Sequence, residues 1–475
     1  MKKVIIISIL VLAVTAGSII VYLKYQGSGL KTIVLTNEGF SPSKLTIKIG
    51  DTVTFISKSG KSFWPASDPH PTHQIFSDFD SKKPIETNTP WIFTFSRAGT
   101  WKYHDHLNFT YSGTITVLDD LGRKVEGGCA SNNNQPLCWE TDIEETLKAE
   151  GLNAAFDKLA SFYENEPGFS VNCHGYAHIL GKAAYYEFHK NGSLPLSIKT
   201  SYCGYGFYHA FMETLLIESG NIQEARDFCT YAGKTLEGQT GKPTIACYHG
   251  IGHGAVDGSD PRTWGDPQAI INPGLQLCQK VGEGDFQIYL CASGVFNALA
   301  IAYNSGKYNL IDTSKDPYDI CLQQTDHNFK EACYEEMNTR AWLMGGSDFA
   351  KASVFAQKVQ ETQYAVVALQ NLASVAAGFF AERDYPNVIS TCKSLRPELQ
   401  EPCIIGIVGG LFETGKPNLE YQGAISFCES KAFNSNERDV CFKNTISTAK
   451  FLYPPEKADE VCQKVSEEYK KYCAL

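Results

Sequence analysis

Four histidines stand close together in the first third of this sequence: His70, His73, His104 and His106. The last two fall in the run Gly99-Thr100-Trp101-Lys102-Tyr103-His104-Asp105-His106. In an extended strand His104 and His106 point to one face, because side chains alternate. Imidazoles held that close make half of a transition-metal site. The candidate ligands are His73, His104 and His106, with His70 or Asp105 as additions. An all-imidazole set suits Cu(II) or Zn(II) better than Cu(I).

A second series lies further on. Cys173-His174-Gly175-Tyr176-Ala177-His178 places two histidines one helical turn apart, as are His209 and Glu213. His249, His253 and Asp257 form a longer stripe. Residues at i and i+4 share a helix face. Three readings stay open. The stripes converge on zinc or iron, held in transit or activating water; they line a pocket for a non-metal ligand; or they hydrogen-bond across tight, glycine-packed helix contacts. Aligning the helices on Cys203, Cys247, Cys291 and Cys333 puts His209, His253 and Asn297 at one level, six positions on, with Asn338 five positions on.

These residues need elements to hold them. Residues 32–35, 44–48, 52–56 and 91–95 are short alternating segments between Gly, Asn, Pro and Asp turns. With the two strands around the histidine turn they predict a β-sandwich over residues 30–119. Residues 120–140 read as a linker. From 141 to 475 helical periodicity dominates, as at 144–163, 174–189, 206–217, 294–303 and 364–382. All 16 cysteines lie at or after Cys129. Paired with their neighbours in order, from Cys129/Cys138 to Cys462/Cys473, they read as a disulfide framework. The second cysteines Cys203, Cys247, Cys291 and Cys333 recur at intervals of 44, 44 and 42 residues. That period predicts a helical-hairpin array, either an open solenoid or a closed α/α toroid. The expected fold is thus multidomain, an all-β sandwich followed by an all-α, disulfide-stapled repeat domain.

The first domain resembles the cupredoxin family. The resemblance rests on Gly39-Phe40-Ser41-Pro42, then residues 45–53 (LTIKIGDTV), then residues 93–101 (FTFSRAGTW), and covers nearly the whole domain. It implies a Greek-key sandwich with one copper near an end. The family's cysteine ligand falls on Asp105, its second histidine on Asn108 and its methionine near Tyr111, so a blue thiolate centre is excluded. His73 falls where the family's early histidine is expected. The stretch 99–106 is also similar to the first domain of multicopper oxidases, where a His-x-His strand feeds a copper cluster; the other oxidase motifs are absent from the sequence.

Composition bounds the rest. The chain has 475 residues, 43% hydrophobic and 20% charged, with net charge −10, which argues against a nucleic-acid surface. Residues 4–23 form an apolar run after Lys2 and Lys3, long enough to span a bilayer. An anchor within residues 1–25 is expected in preference to a cleaved signal, with the bulk outside the cytoplasm. No phosphate loop, nucleophile elbow or H-E-x-x-H motif occurs. The expected role is extracytoplasmic copper capture, delivery or redox handling, with a redox or metal-transfer protein as partner. The alternatives are a metal-dependent enzyme centred on the second histidine series, and an interaction scaffold with a vestigial cupredoxin domain.

Overall fold

The computed structural model describes residues 31–118, 122 and 135–474, apart from 69, 71–72, 74–75, 77, 167–168, 238–242, 257–259, 306, 311–313 and 417–418. The apolar run at 4–23, most of the linker, Cys129 and Asp257 lie outside the described residues. The chain divides into two compact units, Met1–Gly128 and Cys129–Leu475.

The first unit is two packed four-stranded sheets. Its strands are β1 (Lys31–Thr36), β2 (Gly39–Ser41), β3 (Lys44–Lys48), β4 (Thr52–Ser57), β5 (Pro65–Ser67), β6 (Pro90–Thr94), β7 (Gly99–Asp105) and β8 (Asn108–Leu118). One sheet has the order β2-β1-β4-β6 and the other β3-β8-β7-β5. β1 runs parallel to β4, and β3 parallel to β8. Alternate residues point inward, as the pleat requires: Ile33 and Leu35, Val53 and Phe55, Trp101 and Tyr103, Ile115 and Val117 are all buried. Gly113 on β8 gives the Tyr103 ring its space; a Cβ there would lie 2.4 Å from the hydroxyl oxygen. The β7–β8 pairing slips between His104 and Asp105, so the strand ends inside the histidine motif.

The second unit is helical. Its helices are α1 (Gln135–Glu150), α2 (Leu152–Asn165), α3 (Ser170–Asn191), α4 (Gly206–Glu218), α5 (Ile222–Thr235), α6 (Pro243–Gly254), α7 (Pro267–Val281), α8 (Asp285–Ser305), α9 (His327–Glu336), α10 (Asn338–Met344), α11 (Phe349–Lys358), α12 (Thr362–Ala377), α13 (Tyr385–Ser394), α14 (Pro397–Thr414), α15 (Tyr421–Cys428), α16 (Ser435–Leu452) and α17 (Pro455–Lys464). The helix expected over 144–163 is two helices, broken at Gly151, whose φ of 88° is left-handed. Asn221, Asp266, Asp326, Asp348 and Asn434 cap helix starts by accepting backbone N–H groups. In succession α3, α4, α6, α8, α9, α12, α14 and α16 each pack on the next.

Seven cystines join neighbours in order: Cys173–Cys203, Cys229–Cys247, Cys278–Cys291, Cys321–Cys333, Cys392–Cys403, Cys428–Cys441 and Cys462–Cys473. Cys138 is disulfide-bonded as well. Such a set fits a protein of an oxidising compartment. Among the described residues one helix, α8, is long and apolar enough to cross a membrane; 61% of its apolar window is buried, and it packs against α6, α7 and α9.

Candidate metal centres

The first cluster sits at one end of the β unit. β7 delivers His104, the turn after it delivers His106, and the connection from β5 to β6 delivers His70 and His73. One ring nitrogen from each of the four lies within 4.8 Å of the others. His70 Nδ1 is 3.2 Å from His104 Nε2, and His106 Nδ1 is 3.1 Å from His73 Nε2. Carboxylates set two of the rings. His104 Nδ1–H donates to Asp68 Oδ1 at 2.6 Å, and His73 Nδ1–H donates to Asp80 Oδ2 at 2.7 Å. That leaves both Nε2 lone pairs aimed at the shared centre, the arrangement that orients metal-ligating histidines.

The walls are built to hold these rings still. The Trp64 indole N–H donates to Asp80 Oδ1 at 2.6 Å, and its ring lies 4.3 Å from that of His106. Phe109 stacks on His70 at 4.9 Å. Burial alone would raise the Asp80 carboxyl, but His73, Trp64 and the Lys82 backbone N–H outweigh it and hold Asp80 ionised well below the ordinary range. His73 has φ 56°, a left-handed conformation uncommon for a residue with a side chain. The Ser67 hydroxyl, which donates to the His73 carbonyl at 3.1 Å, helps to pin it there.

Asp105 behaves differently from the sequence expectation. Its Oδ1 accepts the backbone N–H groups of Trp64 at 2.7 Å and Leu107 at 3.2 Å. It fastens the histidine turn and stands outside the imidazole group. Burial pushes its carboxyl up to about 6. Asp68 and Asp80, which sequence reasoning passed over, are the carboxylates that serve the rings.

The second cluster lies among α3, α4 and α6. Ring nitrogens of His174, His178 and His209 fall within 4.8 Å of one another. His209 Nδ1 is 3.2 Å from His174 Nε2, and His174 Nδ1–H donates to the Cys203 carbonyl at 3.0 Å. Glu213 lies between two further rings, with Oε2 3.7 Å from His178 Nδ1 and Oε1 3.4 Å from His253 Nδ1. The His209 and His253 rings stack at 4.6 Å. His249 bonds to Ser293 at 2.9 Å and approaches Glu336 Oε1 at 3.8 Å. Burial, helped by neighbouring histidines, pushes His174 down to about 4 and His249 to about 3. His178 and His209 fall well below their ordinary value for the same reasons. All four are neutral at pH 7, the form that ligates metal.

Glu336 is the residue that sequence reasoning missed here. It stands three positions after Cys333, where Cys203, Cys247 and Cys291 are followed by Gly206, Gly250 and Gly294. That substitution of a carboxylate for a contact glycine was the available signal. Asn338, expected on the polar face, accepts the Tyr318 hydroxyl at 2.7 Å and donates to the Tyr334 carbonyl. It belongs to packing.

No family model matches this chain, and no curated protein matches it. The solved structures it is similar to include a reduced amicyanin mutant, 21% identical, covering 19% of this chain and 82% of that one at TM-score 0.17. A purple cupredoxin from Nitrosopumilus maritimus is 24% identical, covering 18% of this chain and 98% of that one, also at TM-score 0.17.

Proposed function

We propose that this chain is an extracytoplasmic copper-handling protein that captures Cu(II) as cargo in a cupredoxin-like Greek-key domain. Four inward imidazole nitrogens, two of them set by carboxylates, carry this reading. A nitrogen set without thiolate suits Cu(II), and residues 1–128 hold no cysteine. The cupredoxin motifs of residues 39–53 and 93–101 support the same assignment. Residues 4–23 anchor the chain in a membrane, and the helical unit is a hairpin repeat array. A metal-transfer protein outside the cytoplasm is the proposed partner.

The test is a Cu(II) titration of the full chain. Tight binding with nitrogen hyperfine structure in the paramagnetic resonance spectrum, and no intense thiolate band, is the expected result. His73→Ala with His104→Ala removes one equivalent of bound Cu(II) and that equivalent's share of the signal. An undiminished Cu(II) stoichiometry and spectrum in the double substitution would sink the proposal.

A further inference from the structure

Buried imidazoles normally satisfy their nitrogens, as His174 does at the Cys203 carbonyl. His178 and His253 do not: both nitrogens of each ring are buried without a hydrogen bond. Each buried polar group left so loses its hydration without a replacement partner. Pure packing therefore explains this cluster poorly, because apolar side chains would fill the same space without that cost.

The spacings match something else. Ligands about 2.0–2.1 Å from a tetrahedral ion lie roughly 3.3–3.4 Å from one another. The His209–His174 nitrogens are 3.2 Å apart, and Glu213 Oε2 is 3.7 Å from His178 Nδ1. These lengths lie close to the edges of a coordination polyhedron. The Cys203 carbonyl takes the His174 Nδ1–H, so Nε2 carries the lone pair, which faces His209 Nδ1.

We infer that the helical unit holds a first-row divalent ion of the zinc or copper type on His174, His178 and His209, with Glu213 closing the fourth side. This site is separate from the first cluster and draws on another unit of the chain. His253, His249 and Glu336 continue the polar aisle away from it. Imidazole with one carboxylate is a borderline donor set, selective for such ions over magnesium or calcium.

The experiment uses the full chain with the first cluster disabled by His73→Ala and His104→Ala. After chelator treatment the protein is titrated with Co(II) alone. One equivalent per chain is expected, with the visible bands of a four-coordinate ion, displaced by Zn(II). Adding His178→Gln should weaken binding at least about 100-fold while far-ultraviolet dichroism stays unchanged. Adding Glu213→Gln instead should alter the visible bands. Absence of a bound equivalent in the parent overturns the inference, as does undiminished binding in a folded His178→Gln chain. The parent stoichiometry decides even where a substituted chain fails to fold.

Discussion

Asp80 shows how much of the proposed copper site lies outside the four histidines. It binds His73 Nδ1 with one oxygen and the Trp64 indole with the other, so one carboxylate fixes both a candidate ligand and a wall. Asp80→Asn should weaken Cu(II) binding by about 10–100-fold, less than His73→Ala, as read by chelator competition. The histidines themselves were legible in the sequence, because type and clustering are visible there. Their carboxylates were not: Asp68 lies 36 positions from His104 and Asp80 lies 7 from His73, and neither spacing is a motif. In the metal-free helical unit, His174 is held to about 4 and His249 to about 3. Above pH 6.5 neither the folded nor the unfolded chain is charged at these rings. Below it the unfolded chain takes protons first, so stability falls as pH drops from about 6.5 to 4, by up to about 3 kcal/mol for His174. Urea midpoints for the metal-free chain at pH 7 and pH 4.5 measure this, and equal midpoints would refute it.

At the scale of elements, glycine decides how near the histidine stripes can come. A Cβ on Gly252 would lie 1.7 Å from the Cys291 carbonyl oxygen, and one on Gly294 would lie 1.9 Å from that of His249. Both mark the α6–α8 contact. Gly206 and Gly250 serve α4 in the same way against His174 and Tyr208. Gly252→Ala should therefore destabilise the unit by about 1–3 kcal/mol or more, seen as a lowered thermal midpoint. An unchanged midpoint would mean the helices can part without cost. Register on the second cysteines made these helices and their polar face legible. It could not show where that face ends, since Asn297 turns to Glu336 while Asn338 turns to Tyr318. Periodicity also ran straight through Gly151, because a left-handed φ leaves no mark in hydrophobic spacing. The β strands were easier to read, their period of two being interrupted by evident turn residues.

At the scale of the molecule the two units differ in what holds them. Residues 1–128 contain no cysteine, and the two sheets bury a core of aromatic and branched side chains. The helical unit carries seven described cystines, each contributing roughly 2–4 kcal/mol. Reducing and alkylating the cystines should lower the helical unfolding transition strongly and, once the reagents are removed, leave Cu(II) binding by the first cluster intact. Melting curves by dichroism, before and after alkylation, read the first effect; loss of the first cluster's Cu(II) equivalent in the alkylated chain would contradict the second. Six of those cystines span only 11 to 18 positions, and Cys173–Cys203 spans 30. In every one the partner is the next cysteine along. A chain oxidised in order, as it emerges from its N-terminus, would meet each correct mate before any wrong one. The fold carries its own pairing timetable, and a thiol waits for only a few dozen residues of synthesis before it is closed.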